Sequence, residues 1–159
     1  MLFARALLAF VALPGMVSFL IPGYLALRTP VATGANLLGC VPLIVGTAGL
    51  LTCVRAFAVS GRGTLAAWAP PTRLVTGGLY RRTRNPMYVC ALTIIAGWAM
   101  LAQSWGIGAY GLVVAAVFHL HVVYAEEPWA ARTFGAEWEA YAREVPRWFG
   151  RRVPNRSGL

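Results

Sequence analysis

"GLYRRTRNPMYV", residues 78–89, crowds three arginines into four positions and then turns apolar as far as about residue 103. Guanidinium groups immediately before a long oily run mark the cytoplasmic end of a membrane span, because positive residues are retained on that side. The same stretch carries a helix start. Asn85 is a favoured N-cap residue, and Pro86 suits the first helical position, where its missing N–H costs nothing. A span is therefore expected from Pro86 onward, with its positive helix end and Arg84 at the border.

The rest of the chain agrees with a membrane reading. Of 159 residues, 58% are hydrophobic and 12% charged, with mean hydropathy +0.63. A soluble domain is about 45–50% apolar and about 25% charged. Four apolar segments stand out, at 2–27, 36–59, 86–103 and 107–125. Each approaches the roughly 20 residues needed to cross a bilayer. Pro14 and Pro22 are expected to kink the first. That segment exceeds a signal-peptide core and is followed by three more, so it reads as a retained anchor. The expected fold is all-α and integral to the membrane: about four spans plus a C-terminal amphipathic interfacial helix, with no Rossmann domain.

All fourteen basic residues are arginine and all five acids are glutamate. Before residue 125 the charge is +8, and beyond it +1. The connection between the second and third spans holds Arg62, Arg73, Arg81, Arg82 and Arg84, and the tail holds six more arginines, whereas "AQSWG" between spans three and four holds none. The positive-inside rule then places the long connection, the tail and both termini in the cytoplasm. Arginines that flank apolar runs, rather than forming a basic face on a soluble module, speak against nucleic acid as a partner. Cys40, Cys53 and Cys90 lack metal-ligand spacing and read as packing residues, with no metal site expected.

The connection from residue 60 to 85 is rich in Gly and Pro, but Leu65, Trp68, Leu74, Val75, Leu79 and Tyr80 suggest that it packs back onto the membrane surface. The tail at 128–148 reads as one amphipathic helix. Phe134, Trp138, Tyr141 and Val145 form an aromatic stripe, while Arg132, Glu139 and Arg143 lie on another face, the last two spaced for an ion pair. Such a helix either lies in the interface or covers the cytoplasmic span ends. The chain thus divides into two N-terminal spans (1–59), a part carrying the polar motifs (60–149) and a basic tail (150–159), all within one membrane domain.

Two constellations carry potential chemistry. The first is the start of the third span: Arg84, Asn85, Pro86 and the free N–H groups of Met87 and Tyr88 make an anion site at the membrane border, or simply a capped span. The second is "FHLHVVYAEEPW". Glu126 and Glu127 are the first acids in the chain and stand where the fourth span leaves the bilayer. Neighbouring helical residues diverge by about 100°, so one can face a ligand while the other pairs with Arg81, Arg82 or Arg84. His119 and His121, two apart, do not face one metal or haem site; His119 is either a ligand contact or a packing histidine.

Over residues 60–149 these motifs resemble the isoprenylcysteine carboxyl methyltransferase and phospholipid methyltransferase superfamily. "RNPMY" is similar to its Arg-(His/Asn)-Pro-x-Tyr element, "AEEPW" to its Glu-Glu element, and "FGAEWEAY" and "VPRW" follow in order. Asn85 stands where the eukaryotic prenylcysteine enzymes carry His, and Trp138 where Tyr is commoner. The resemblance implies an integral-membrane methyltransferase that uses S-adenosylmethionine in a cytoplasmic pocket and meets a lipid-embedded or small apolar acceptor from the bilayer. It implies cofactor contacts from Gly78, Leu79, Tyr80, Arg84, Asn85, Pro86, Met87, Tyr88, His119, Glu126 and Glu127. Arg84 and the Met87 and Tyr88 N–H groups suit the cofactor carboxylate, the glutamates its ribose or ammonium, and Tyr80 and Tyr88 its adenine or sulfonium. Arg84 and Glu127 are the expected catalytic pair, Glu127 serving as base if the acceptor is protonated. The rivals are an NADPH-dependent membrane reductase of the sterol reductase type, against which the paired glutamates speak, and a non-catalytic membrane protein.

Overall fold

The structure is a computed structural model that describes residues 11–29, 36–61 and 71–150. Every regular element among them is helical. A π-helical stretch, Val11–Leu20, holds Pro14 and runs into α1 (Ile21–Arg28). A 3₁₀ turn, Leu37–Gly39, leads into α2 (Cys40–Val59). Then come a 3₁₀ turn Gly78–Arg81, α3 (Pro86–Leu101) and α4 (Trp105–His121). A π turn, Val122–Glu126, joins α4 to α5 (Glu127–Phe134), and α6 (Ala136–Glu144) follows. The residues 62–70, including Trp68 and Leu65, and the basic tail from 151 lie outside the described residues.

Helix α3 is the centre of the molecule, with α2 against one side and α4 against the other. Glycine sets the α2–α3 distance. A Cβ added to Gly97 would lie 2.8 Å from the Leu43 nitrogen, and one added to Gly46 would lie 2.9 Å from the Cys90 carbonyl. Membrane helices, which gain little from burying apolar surface against each other, associate through such close backbone approach. Leu50 and Ile94 are fully buried around this contact, and Ile95 and Ile107 between α3 and α4. The α3–α4 hairpin turns at Gln103, which adopts φ 49°, and Ser104 caps α4 by accepting from the Ile107 N–H at 3.4 Å.

Many large apolar side chains lie on the outer surface: Trp105 is 94% exposed, Leu27 87% and Leu112 75%. Exposed apolar side chains in such number suit a lipid or protein surrounding better than water. Two helical runs are long and apolar enough to cross a bilayer, Leu37–Val59 and Trp105–Phe134. Helix α3, at 16 residues, is apolar but shorter, about 24 Å at 1.5 Å per residue. The described residues form an all-helical protein with two long candidate spans and one shorter apolar helix, α3; the start of the first expected span, residues 2–10, lies outside them.

The tail differs from the single helix expected over 128–148. Gly135, at φ 52° and ψ −125°, separates α5 from α6. Val145 is extended, at φ −115° and ψ 126°, because Pro146 follows and disfavours helical backbone before it. The stripe nevertheless holds. Tyr141 and Val145 are buried and Phe134 and Trp138 half-buried, so the aromatic face turns onto the bundle. Among the described residues Glu139 and Arg143 form no ion pair; the carboxylates that do pair are Glu126 and Glu127.

Candidate functional site

The site begins at the foot of α3. Asn85 occupies the position before the helix, but its side chain makes no cap, which corrects the sequence expectation. Its Nδ2 instead donates to the Arg147 carbonyl at 3.0 Å. Thr83 Oγ1 donates to the same carbonyl at 2.9 Å and accepts from the Asn85 N–H at 3.2 Å. The Arg84 N–H donates to the Pro146 carbonyl at 2.9 Å. Residues 83–85 are thus laced to the extended segment beyond α6, and no side chain caps the Met87 and Tyr88 end of α3.

From the other side the chain arrives through the π turn. The Glu127 N–H donates to the Val122 carbonyl, one residue further back than in an α-helix. Pro128 supplies the reason: it has no N–H for the Tyr124 carbonyl, and its ring crowds that carbonyl, so the helix shifts register just before it. The shift ends at the two glutamates, which take separate roles.

Glu127 is gripped by two arginines. Its Oε1 lies 3.0 Å from Arg84 Nη1, and Arg147 forks onto both oxygens at 2.8 and 2.7 Å. A bidentate fork of this kind is the strongest common geometry for such a pair. Arg84 also lies 5.6 Å over the Trp138 ring, while its Nε is buried without a partner. Burial pulls the Arg84 pKa below its ordinary value, whereas hydrogen bonding to Glu127 raises that of Arg147.

Glu126 faces elsewhere. Its Oε1 accepts a hydrogen bond from the Tyr88 hydroxyl and lies 3.4 Å from His121 Nε2. The Tyr88 ring rests on Phe118 at 4.4 Å and meets Trp148 edge-on at 6.3 Å. Trp148 Nε1 donates to His119 Nδ1 at 3.0 Å. Below these rings a cavity of about 430 Å³ runs between α3 and α4, walled by Val89, Leu92, Ala96 and Ala115 and topped by His119 and Trp148. Its walls are apolar and its head is polar, as in many small-molecule pockets.

The structure therefore brings together Arg84, Asn85, Tyr88, Glu126, Glu127 and His119. It places Gly78, Leu79 and Tyr80 differently. Gly78 is an exposed turn residue at φ 60°, and Leu79 packs toward α2. The Tyr80 ring packs on Phe57 at 5.7 Å within the Cys53 cluster. Its carbonyl accepts from the buried Tyr141 hydroxyl at 2.8 Å, which ties α6 to the turn before α3. Sequence reasoning missed Arg147 and Trp148. Their only signal was their place in "VPRW", beyond a proline that ends the helix. Among the described residues no three His, Cys, Asp or Glu side chains converge as a metal site.

Fold and site together define a class: a small helical protein with long apolar helices, whose polar groups gather where two of those helices end, above an apolar cleft. The chain belongs to the phospholipid methyltransferase family, which residues 35–137 match. It is also similar to the nickel-cobalt-cadmium resistance protein NccN of Alcaligenes xylosoxydans xylosoxydans, at 32% identity over 113 residues, covering 71% of this chain and 48% of that protein. The cobalt-zinc-cadmium resistance protein CzcN of Cupriavidus metallidurans is 32% identical over 114 residues, covering 72% and 48%. The chain spans about half the length of these curated relatives. No solved structure matches it significantly.

Proposed function

We propose that this protein is an integral-membrane methyltransferase that uses S-adenosylmethionine and methylates a lipid-embedded or small apolar acceptor. The observation that carries the reading is the convergence of the α3 start, Glu126 and the C-terminal Arg147 and Trp148 over one apolar cleft. In this reading four helices cross the membrane, and the site and both termini face the cytoplasm, as the arginine distribution favours.

The residues present fit the cofactor. Its carboxylate matches the uncapped α3 start and the unpartnered Arg84 Nε, and its ammonium or ribose matches the open face of Glu126. Tyr88 and Trp148 offer ring faces for a sulfonium. When bound, the cofactor supplies an electrophilic methyl group. The chain supplies alignment and dryness, worth roughly 7–11 kcal/mol in the best cases. Glu127 holds Arg84 and Arg147 in place and has both oxygens engaged, so it positions the site. Where the acceptor must lose a proton, Glu126 takes it, with His121 beside it at the exposed surface.

Titration of the purified protein in detergent with S-adenosylmethionine, S-adenosylhomocysteine and NADPH tests this. The first two bind, NADPH does not, and Glu126→Ala weakens the binding. Binding of NADPH alone, or of none of the three, refutes the reading.

A further inference from the structure

The α2–α3 contact holds a chemistry that the site above does not use. Gly49 and Cys53 are one helical turn apart and so share a face of α2. That face meets Cys90 of α3: the Cys90 Sγ lies only 2.6 Å from where a Gly49 Cβ would stand, so the glycine makes room for the sulfur. Cys53 thus faces the side of α3 that carries Cys90, and Tyr80 belongs to the same buried cluster as Cys53. Cys53 is 1% exposed. Met87, one turn ahead of Cys90 on the same face of α3, packs against the cluster of Cys53, Val75 and Tyr80. All three cysteines are free thiols, and Cys40 lies well over two turns from Cys53 along α2.

We propose that Cys53, Cys90 and Met87 form a binding site for a soft monovalent cation, Cu(I). Two thiols and a thioether gathered in a dry helix contact are the donor set that soft cations select. Zinc and its divalent congeners take four ligands in a closed protein site, and among the described residues no third His, Cys, Asp or Glu joins these thiols. Cu(I) is satisfied by two or three sulfurs. Charge favours it as well. If the cation displaces one thiol proton, which passes to water, the site stays neutral, as an apolar surrounding requires. Because Met87 directly precedes Tyr88, drawing the three sulfurs inward pulls on the foot of α3.

The test uses the full chain in detergent, reduced and anaerobic, in competition with a chromogenic Cu(I) chelator, with Ag(I) as a redox-inert second probe. One cation is expected per chain, with an all-sulfur shell by X-ray absorption. Cys53→Ala and Cys90→Ala should each weaken binding by more than the ten- to hundredfold that loss of a supporting outer partner costs. Met87→Leu should weaken it less, and Cys40→Ser not at all. If Cys53→Ala melts early, Cys90→Ser, at a half-buried position, carries the same expectation. The proposal is overturned if the wild type competes no better than Cys90→Ser, if Cys40→Ser is equally impaired, or if nitrogen or oxygen dominates the shell. No step of this assay depends on methyl transfer, so its outcome is separate from that of the proposed activity.

Discussion

Adjacent glutamates should differ in what their truncation costs. In Glu127→Ala, Arg84 and Arg147 both lose their anion. Side-chain exposure is 14% for Arg84 and 16% for Glu127, so this arm is nearly buried, and breaking such a pair from one side costs about 3–5 kcal/mol. The pair is not wholly dry, so the lower end, about 3 kcal/mol, applies. Arg147 is 36% exposed, and a rim contact adds only about 0–1 kcal/mol. The expected total is about 3–4 kcal/mol. At roughly 2–4 °C per kcal/mol for a chain of this length, the melting midpoint should fall by about 6–16 °C. Glu126 is 43% exposed and holds no arginine, and its loss frees the Tyr88 hydroxyl, so Glu126→Ala should cost about 1–2 kcal/mol, below the cost at Glu127. Tryptophan fluorescence on heating the protein in one detergent reads both. A double variant, Arg84→Met with Glu127→Leu, should recover much of the loss, since apolar replacement of a buried pair is often neutral. A Glu127→Ala midpoint near that of the wild type, or a larger loss in Glu126→Ala, would refute the division of roles.

Three further outcomes are expected. Tyr141→Phe removes the hydroxyl that holds the Tyr80 carbonyl and should lower stability by about 1–2 kcal/mol in the same melt; burial pushes the Tyr141 pKa up, so this loss should not vary with pH across the neutral range. Gly97→Ala forces a methyl toward the Leu43 backbone and should cost about 1–3 kcal/mol through overpacking, again read by melting. On the proposed activity, Glu126→Gln should slow methylation of a protonated acceptor by roughly 10²–10⁴-fold while sparing an acceptor already ionised, a comparison that initial rates on the two substrates decide.

The apolar helices were legible because their boundaries rest on local chemistry. Pro86 opens α3 where its missing N–H predicts, and α2 fills the expected segment to Val59. The meeting of Arg84 with Glu127, 43 positions away, is a tertiary fact, which the sequence narrowed to three arginines without choosing among them. Asn85 misled because a side chain that can cap can also be claimed by a better-placed carbonyl, here that of Arg147. The tail misled through its stripe. Val145 points inward from extended backbone, so helical spacing continued past the helix, although Pro146 had already signalled the stop. Arg147 had no local pattern to reveal it, since nothing in the spacing of an extended segment says which distant carboxylate it will reach.

The lacing of Thr83, Arg84 and Asn85 to the Pro146 and Arg147 carbonyls has a consequence in time. A ribosome makes α2, α3 and α4 before it has made the strip that closes over them. Until that strip emerges, the apolar helices exist without the Arg147 grip on Glu127. The helices and the closed polar cluster are therefore acquired in sequence, and a nascent chain arrested after α5 would hold the first without the second.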